Sequence, residues 1–320
     1  MSTRLPEQAL SAAVDAGRWA PSVHNTQPWT FTLAEEEIGL RADLARKLPV
    51  EDAAGRELLI SCGAALFTMR TVIRCEGYEP LVRILPDAAR PDLLATVRLG
   101  KEIDADEATW VLGGEIERRR THRAGFADVP VPGQLIESLV RAAMSEGARL
   151  TPIRSPGAVG VVAALTRAAQ NVQAQDPPFG LEAIRQAPRA GACTGASPAR
   201  SESPRPAPDF PQRHYTWRHD WNAPEEKETA SGVVAALTTR GDSPGEWIAA
   251  GQALQHVLLH AAAHGISAAF HTQALEMGPL RDFLRQELFS GEHPQMIMRL
   301  GVTFDHHQDT PRRPLPEVLE

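Results

Sequence analysis

The chain has 320 residues, 33 basic and 40 acidic, for a formal charge of −7, and 42 % of it is hydrophobic. That describes one or two globular domains with enough apolar material for a large core and excludes a wholly disordered regulator. The acidic balance argues against nucleic acid as the main partner.

Cys62, Cys75 and Cys193 are odd in number and lack CxxC spacing, and Arg4, Glu7, Asp15 and Arg18 interrupt any signal-like N-terminal run. A cytoplasmic location is the expectation. The long stretch without Asp, Glu, Lys or Arg, Trp247 to Leu275, carries Gln252, Gln255, His256, His260, His264, His271 and Gln273, too many polar groups for a membrane span.

A helix opening near Pro6 leads into WAPSVHNTQPW, Trp19 to Trp29. Pro21 and Pro28 stiffen the segment, while Ser22, His24, Asn25, Thr26 and Gln27 offer polar side chains and free backbone donors. Such a loop is suited to hydrogen-bonding something planar and polar. GAALFTMRTVIRCEG, Gly63 to Gly77, then reads as a helix ended by a C-cap glycine, and the apolar run Ala95 to Gly100 as a buried strand closing in RLG. In RRRTHRAGF, Arg118 to Phe126, Arg118, Arg119, Arg120 and Arg123 surround Thr121. Guanidinium forks match phosphate oxygens and a hydroxyl adds a donor; a solvated charge run is the alternative.

From about Asp176 to Glu228 the composition turns to Pro, Ala, Ser and charge, which reads as a lid or disordered insert whose end, with Phe210, Tyr215, Trp217 and Trp221, packs onto something. Ser243, Pro244 and Glu246 start a capped helix whose body, GQALQHVLLHAAAHG from Gly251 to Gly265, carries Gly, Ala and Leu at the same offsets as the earlier helix. Ala253, Leu254, Val257, Leu258 and Ala261 face inward, and Gln252, His256 and His260 form a polar stripe. Met296 to Gly301 again closes in RLG, and TPRRPLP holds Arg312 and Arg313 between prolines. Two versions of one helix-then-strand unit result, over roughly 10–105 and 115–302.

No GxGxxG or GxxxxGK[ST] is present. Gly191 to Gly195, GACTG, fits a nucleophile elbow but lies in the insert without a strand before it. His256, His260 and His264 lack a carboxylate to complete a metal set, His306 and His307 read the same way, and Ser22 with His24 has no third member.

Taken together, the Trp19 to Trp29 loop and the arginine run resemble the flavin-dependent nitroreductases, and among them the Acg-like, two-lobed branch. The loop is similar to that family's APSxxNxQPW signature, and Arg119, Thr121 and Arg123 to its RxSxR phosphate signature with Thr for Ser. The resemblance implies an α+β nitroreductase-like fold, duplicated into a single-chain pseudo-dimer of lobes 1–110 and 111–320, with mixed, mostly antiparallel sheets wrapped by helices and an insert at 176–228. It places FMN phosphate on Arg119, Thr121, Arg123, Arg312 and Arg313, and the flavin ring on Pro21, Ser22, His24, Asn25 and Gln27. Thr272 and Gln273, which stand where the family has a Glu-Gly pair near the flavin ring, are implied as further ring contacts. Each signature occurs once and in inverted order, and around position 150 the sequence ARLTPIRSP has no Asn or Gln, so one complete site and a dead mirror site are expected.

The implied activity is an FMN-dependent oxidoreductase passing hydride from NAD(P)H, a transient donor, through flavin to a nitroaromatic, quinone or similar acceptor. With the flavin carrying the chemistry, neither a catalytic side chain nor a metal is expected. The alternatives are an FMN-storage protein closed by the insert and a colourless interaction protein that has lost the cofactor. The active unit would be a monomer acting as an intrachain pseudo-dimer, with further self-association left open.

Overall fold

The computed structural model describes residues 5–34, 36–123, 125–186, 232–304 and 310–320. The first half opens with α1 (Pro6–Gly17), whose proline occupies the first turn, where a missing N–H costs no helical bond. A hairpin of β1 (Trp29–Leu33) and β2 (Glu37–Ala42) follows. Asp52 starts α2 (Arg56–Cys75) by accepting the backbone N–H groups of Glu57 at 3.1 Å and Leu58 at 2.8 Å, donors that no helical carbonyl can reach. Gly77 ends that helix at φ +90°, the left-handed region that favours glycine. β3 (Tyr78–Ile84), β4 (Leu93–Glu102) and α3 (Glu107–Glu115) complete this half.

The second half runs α4 (Gly133–Ser145), β5 (Arg149–Pro152), α5 (Pro156–Gln175), α6 (Pro177–Gln186), β6 (Val233–Thr239), α7 (Pro244–Ala262), β7 (Ser267–Phe270), α8 (Gly278–Glu287), β8 (His293–Gly301) and α9 (Leu315–Val318). The expected capping box forms at Ser243, with the Glu246 carboxylate accepting the Ser243 N–H at 3.2 Å. The two sheets have the same order, β1-β2-β4-β3 and β5-β6-β8-β7. All six pairings between these strands are antiparallel, and the isolated bridges Phe31–Leu319 and Thr121–Ala268 are parallel, in line with the mostly antiparallel sheets expected. A helical crossover makes β2 and β3 run parallel, but β4 is inserted between them; β8 does the same between β6 and β7.

The halves meet at α2 and α7. A Cβ on Gly63 would lie 2.2 Å from the Ile248 carbonyl oxygen, and one on Gly251 2.0 Å from that of Ile60, so the backbones touch where no side chain fits. Ile248 of α7 packs into the first core beside Phe31, Leu66 and Met69, and Ile60 of α2 into the second beside Leu139, Val257 and Leu258. Length and composition alone would let α2 cross a membrane, yet 72 % of its most apolar window is buried here.

The second sheet is covered on both faces, the outer one by a cluster that includes Val162, Leu284 and Phe289. Continuous burial along β6 and β8 follows from this. The segment expected to lack structure from Asp176 instead begins with α6, and its Glu182 carboxylate accepts the N–H groups of Val50 at 3.1 Å and Glu51 at 2.9 Å. Docking on the first half supplies the order that its composition alone does not. The rest of that segment, residues 187–228 with the GACTG string and its aromatic end, lies outside the described residues, as do His306 and His307.

Candidate functional site

Three non-glycine residues of the Trp19 to Trp29 loop have positive φ: His24 at +46°, Asn25 at +56° and Gln27 at +48°. His and Asn tolerate that region better than most residues, but each such position costs roughly 1–3 kcal/mol unless its surroundings hold it. Here they do. Ser61 Oγ on α2 accepts the Val23 N–H at 3.2 Å, Ser22 Oγ accepts the Gln27 N–H at 3.0 Å, and Thr26 Oγ1 donates to the Val23 carbonyl at 2.8 Å.

Pro21, Ser22, Val23 and His24 thereby face a cleft of about 900 Å³, its open mouth included, between the two halves. The first half also contributes Glu57, Ile60 and Ser61. The second contributes Thr121, His122, Arg123, Leu254, the run Ala269 to Gln273, Met296 and Arg299. Seven of the sequence-derived residues, Pro21, Ser22, His24, Thr121, Arg123, Thr272 and Gln273, therefore line one cavity.

Asn25 and Gln27 do not line it. Asn25 Nδ2 donates to the Pro311 carbonyl at 3.1 Å and its Oδ1 accepts from Arg312 at 3.2 Å; Gln27 Oε1 accepts the Arg313 N–H at 2.8 Å. The two amides fasten the segment around Arg312 and Arg313 along the back of the loop. Arg313 is spent there, donating to the carbonyls of Gln27 and Trp29 at 3.2 Å each.

Arg119 is 4 % exposed and reaches Thr121 Oγ1 at 3.4 Å. Burial, then the charges of Arg312 and Arg120, push its guanidinium down to about 9; burial, then Arg120 and Arg18, push Arg312 down to about 10. Arg18, Arg120 and Arg312 all lie over the Trp19 ring, at 5.4, 5.8 and 5.7 Å from its centroid. No acidic side chain among the described residues pairs with Arg119 or Arg312, and Arg119 Nε, Arg312 Nε and Trp19 Nε1 are buried without hydrogen-bond partners. So much buried positive charge with unused donors matches a multiply charged anion.

Sequence reasoning missed Arg299 and His271. Arg299 is fully buried, its Nε donates to His271 Nε2 at 2.8 Å, and its guanidinium lies 5.3 Å from the Phe126 ring centre. An acceptor Nε2 means a neutral imidazole protonated at Nδ1. Burial pushes Arg299 down to about 10. The available signal was a lone arginine inside the apolar run Met296 to Gly301. Glu57 was missed as well, because its neighbourhood reads only as a helix start.

Over residues 1–78 and 116–302 the chain matches the model described as "Nitroreductase family". Two Mycobacterium tuberculosis relatives carry the name "Putative NAD(P)H nitroreductase". Rv3131 is 31 % identical, with 100 % of this chain and 94 % of the relative covered; acg is 26 % identical, with 99 % and 97 % covered. Solved structures to which the chain is similar include the FMN and NADPH-dependent nitroreductase NfnB from Sphigopyxis sp. strain HMH, 17 % identical, covering 67 % of this chain and 98 % of that one at a TM-score of 0.41. A nitroreductase with bound FMN from Bacteroides fragilis is 11 % identical, covering 65 % and 95 % at 0.38. With both halves matched by the family model and a relative aligned along the whole chain, this protein belongs to the nitroreductase family.

Proposed function

We propose that the chain is an FMN-dependent oxidoreductase that takes hydride from NAD(P)H and delivers it to a nitroaromatic, quinone or similarly electron-poor acceptor. The observation that carries this reading is the pairing of buried Arg119 with half-buried Arg312, which adjoins an inter-half cleft through Thr121 and has no acidic partner among the described residues. The names of its relatives and the FMN of its structural neighbours point the same way. When bound, the flavin supplies the hydride chemistry.

The chain's own residues do the holding. Arg119, Thr121, Arg123 and Arg312 would take the phosphate. Pro21, Ser22, His24, Thr272 and Gln273 would flank the ring, while Asn25, Gln27 and Arg313 act from behind by fixing the loop. The neutral His271, held by Arg299, would offer a further donor in the cleft. One chain thereby works as a fused pair of lobes, 1–110 and 111–320, with one complete site.

The test is the visible spectrum of the FMN-loaded protein with NADPH or NADH under exclusion of air. Bleaching, followed by recovery of colour when a nitroaromatic or quinone is added, is expected. A yellow protein that both nicotinamides leave oxidised refutes the reading and favours storage. Arg119→Ala tests the phosphate assignment: losing one buried charge-assisted contact costs about 1.5–3 kcal/mol, roughly a 10- to 150-fold rise in the FMN dissociation constant by titration. A change within about twofold removes Arg119 from the phosphate site.

A further inference from the structure

Two helices that contribute none of the described residues lining the cleft nevertheless reach residues that do. Glu182 of α6 is 6 % exposed, and its two carboxylate oxygens accept the N–H groups of Val50 and Glu51. With one donor on each oxygen, the backbone at 50–51 is fixed in direction as well as in place. The Glu51 side chain then meets His24 Nε2 at 2.6 Å, 5 % of the one and 9 % of the other being exposed, and the His24 ring lines the cleft. His24 has φ +46°, a conformation that persists only where its surroundings hold it. Glu51 is part of what holds it, and Glu182 holds Glu51.

α5 makes the same kind of connection to the opposite wall. Gln173, 8 % exposed, donates through Nε2 to Glu276 Oε2 at 2.6 Å, and Glu276 Oε1 accepts from Thr272 Oγ1 at 3.0 Å. Thr272 lines the cleft beside Gln273. Only Asp176 separates α5 from α6, so one pair of consecutive helices ends in a cleft residue of each half. Oxygens of Glu51 and Glu276 lie within 4.8 Å of each other, so the two routes run side by side. Glu and Gln are mostly exposed residues, and burying one is unfavourable unless it is hydrogen-bonded. Here the bonds go to the segments that carry His24 and Thr272.

Resting on the oxidoreductase reading above, we propose that Glu182 and Gln173 are positioning residues of the cleft: Glu182 sets His24 through Glu51, and Gln173 sets Thr272 through Glu276. Neither touches a ligand. A flavin entering between the walls meets His24 and Thr272 already oriented, so their ordering is completed on folding instead of on binding.

The experiment uses the full chain with FMN. Val50 is exposed, so water can take over the two N–H groups in Glu182→Ala, and the variant is expected to fold. Titration is expected to give an FMN dissociation constant about 5- to 10-fold above wild type in Glu182→Ala. Glu182→Gln, which keeps the size of the side chain and one of its two acceptors, is expected to fall between. His24→Asn tolerates the positive φ but is too short to reach Glu51; in that background, adding Glu182→Ala is expected to change the constant by less than about twofold, because the residue it acts through is gone. Gln173→Ala is expected to be silent in the same way when added to Thr272→Val. In FMN-loaded protein with isotope-labelled histidine, the His24 ring signals, identified by their loss in His24→Asn, are expected to move in Glu182→Ala and to return toward the wild-type position in Glu182→Gln. Wild-type affinity in Glu182→Ala, effects that multiply within either pair, or His24 signals that stay in place overturn the proposal without touching the oxidoreductase reading. A chain that takes up no FMN overturns both.

Discussion

The crossing of α2 and α7 invites a substitution that should be silent in an ordinary helix. Gly63→Ala puts a methyl 2.2 Å from the Ile248 carbonyl oxygen and 3.0 Å from the Gly251 Cα; Gly251→Ala puts one 2.0 Å from the Ile60 carbonyl oxygen and 2.8 Å from the Gly63 Cα. Both obstacles are backbone atoms, so no rotamer change relieves them. Restoring an ordinary contact separates the helices by roughly 1 Å, which forfeits a quarter to a half of the dispersion energy of the atoms in contact. Overpacking of this kind costs about 1–3 kcal/mol, against about 1 kcal/mol by which Ala surpasses Gly inside a helix. Because both obstacles are backbone, the upper end of that range applies, and each single variant should lose about 2 kcal/mol in urea unfolding followed by tryptophan fluorescence. The double variant should lose less than the sum, because the first methyl has already spread the pair. Ile60 and Leu254 line the cleft on either side of this crossing, so FMN affinity should fall with the same substitutions in protein that remains folded. A single variant as stable as the wild type would refute the idea that this contact sets the distance between the halves.

Asp52→Ala should cost about 1–2 kcal/mol in the same assay, because the carboxylate satisfies two backbone donors at the start of α2; a loss under about 0.3 kcal/mol would show that water replaces it. His256 stacks on Phe67 at 4.8 Å between centroids, and burial, then the charges of His260 and Arg70, lower it from 6.5 to about 4. In that window the unfolded chain binds the proton and the folded chain does not, so this stabilising contribution is complete above pH 6.5 and is lost as pH falls toward 4. His256→Gln should flatten the fall in urea midpoint across that interval; an unchanged slope would assign the fall to other groups.

The signals that survived from sequence to structure are local ones. Ser243 with Glu246 predicts a helix start because both partners sit within one turn, and Gly77 and Gly265 predict helix ends because only the left-handed backbone fits there. The arginine run was readable because its charges are adjacent in the chain. What the sequence concealed depends on contacts between distant segments. Asn25 and Gln27 offer the same amides to a ligand or to a backbone 286 positions away, and only the fold shows that Pro311 and Arg313 receive them. Arg299 reads as an intruder in an apolar strand until His271 is brought beside it, and Glu57 becomes notable only once Glu51 and Glu276 share its surroundings. The helical beginning of the 176–228 segment was hidden for the same reason, since Val50 and Glu51 lie in the other half.

Duplication of the sheet and central helix gives each half the same framework, and among the described residues the halves differ in the link between first helix and first strand. Between α1 and β1 it spans residues 18–28, long enough for two prolines and three positive-φ residues; between α4 and β5 it is 146–148. Three residues turn the chain and do no more. Gly147, at φ +84°, makes the turn, and Glu146 pairs with Arg70 of the first half. The first half has the opposite arrangement, in which the α2 hydroxyl of Ser61 and the segment around Arg312 and Arg313 brace a strained loop from two sides. That strain persists only while both braces hold, which ties the shape of the cleft to contacts contributed by the far end of the chain.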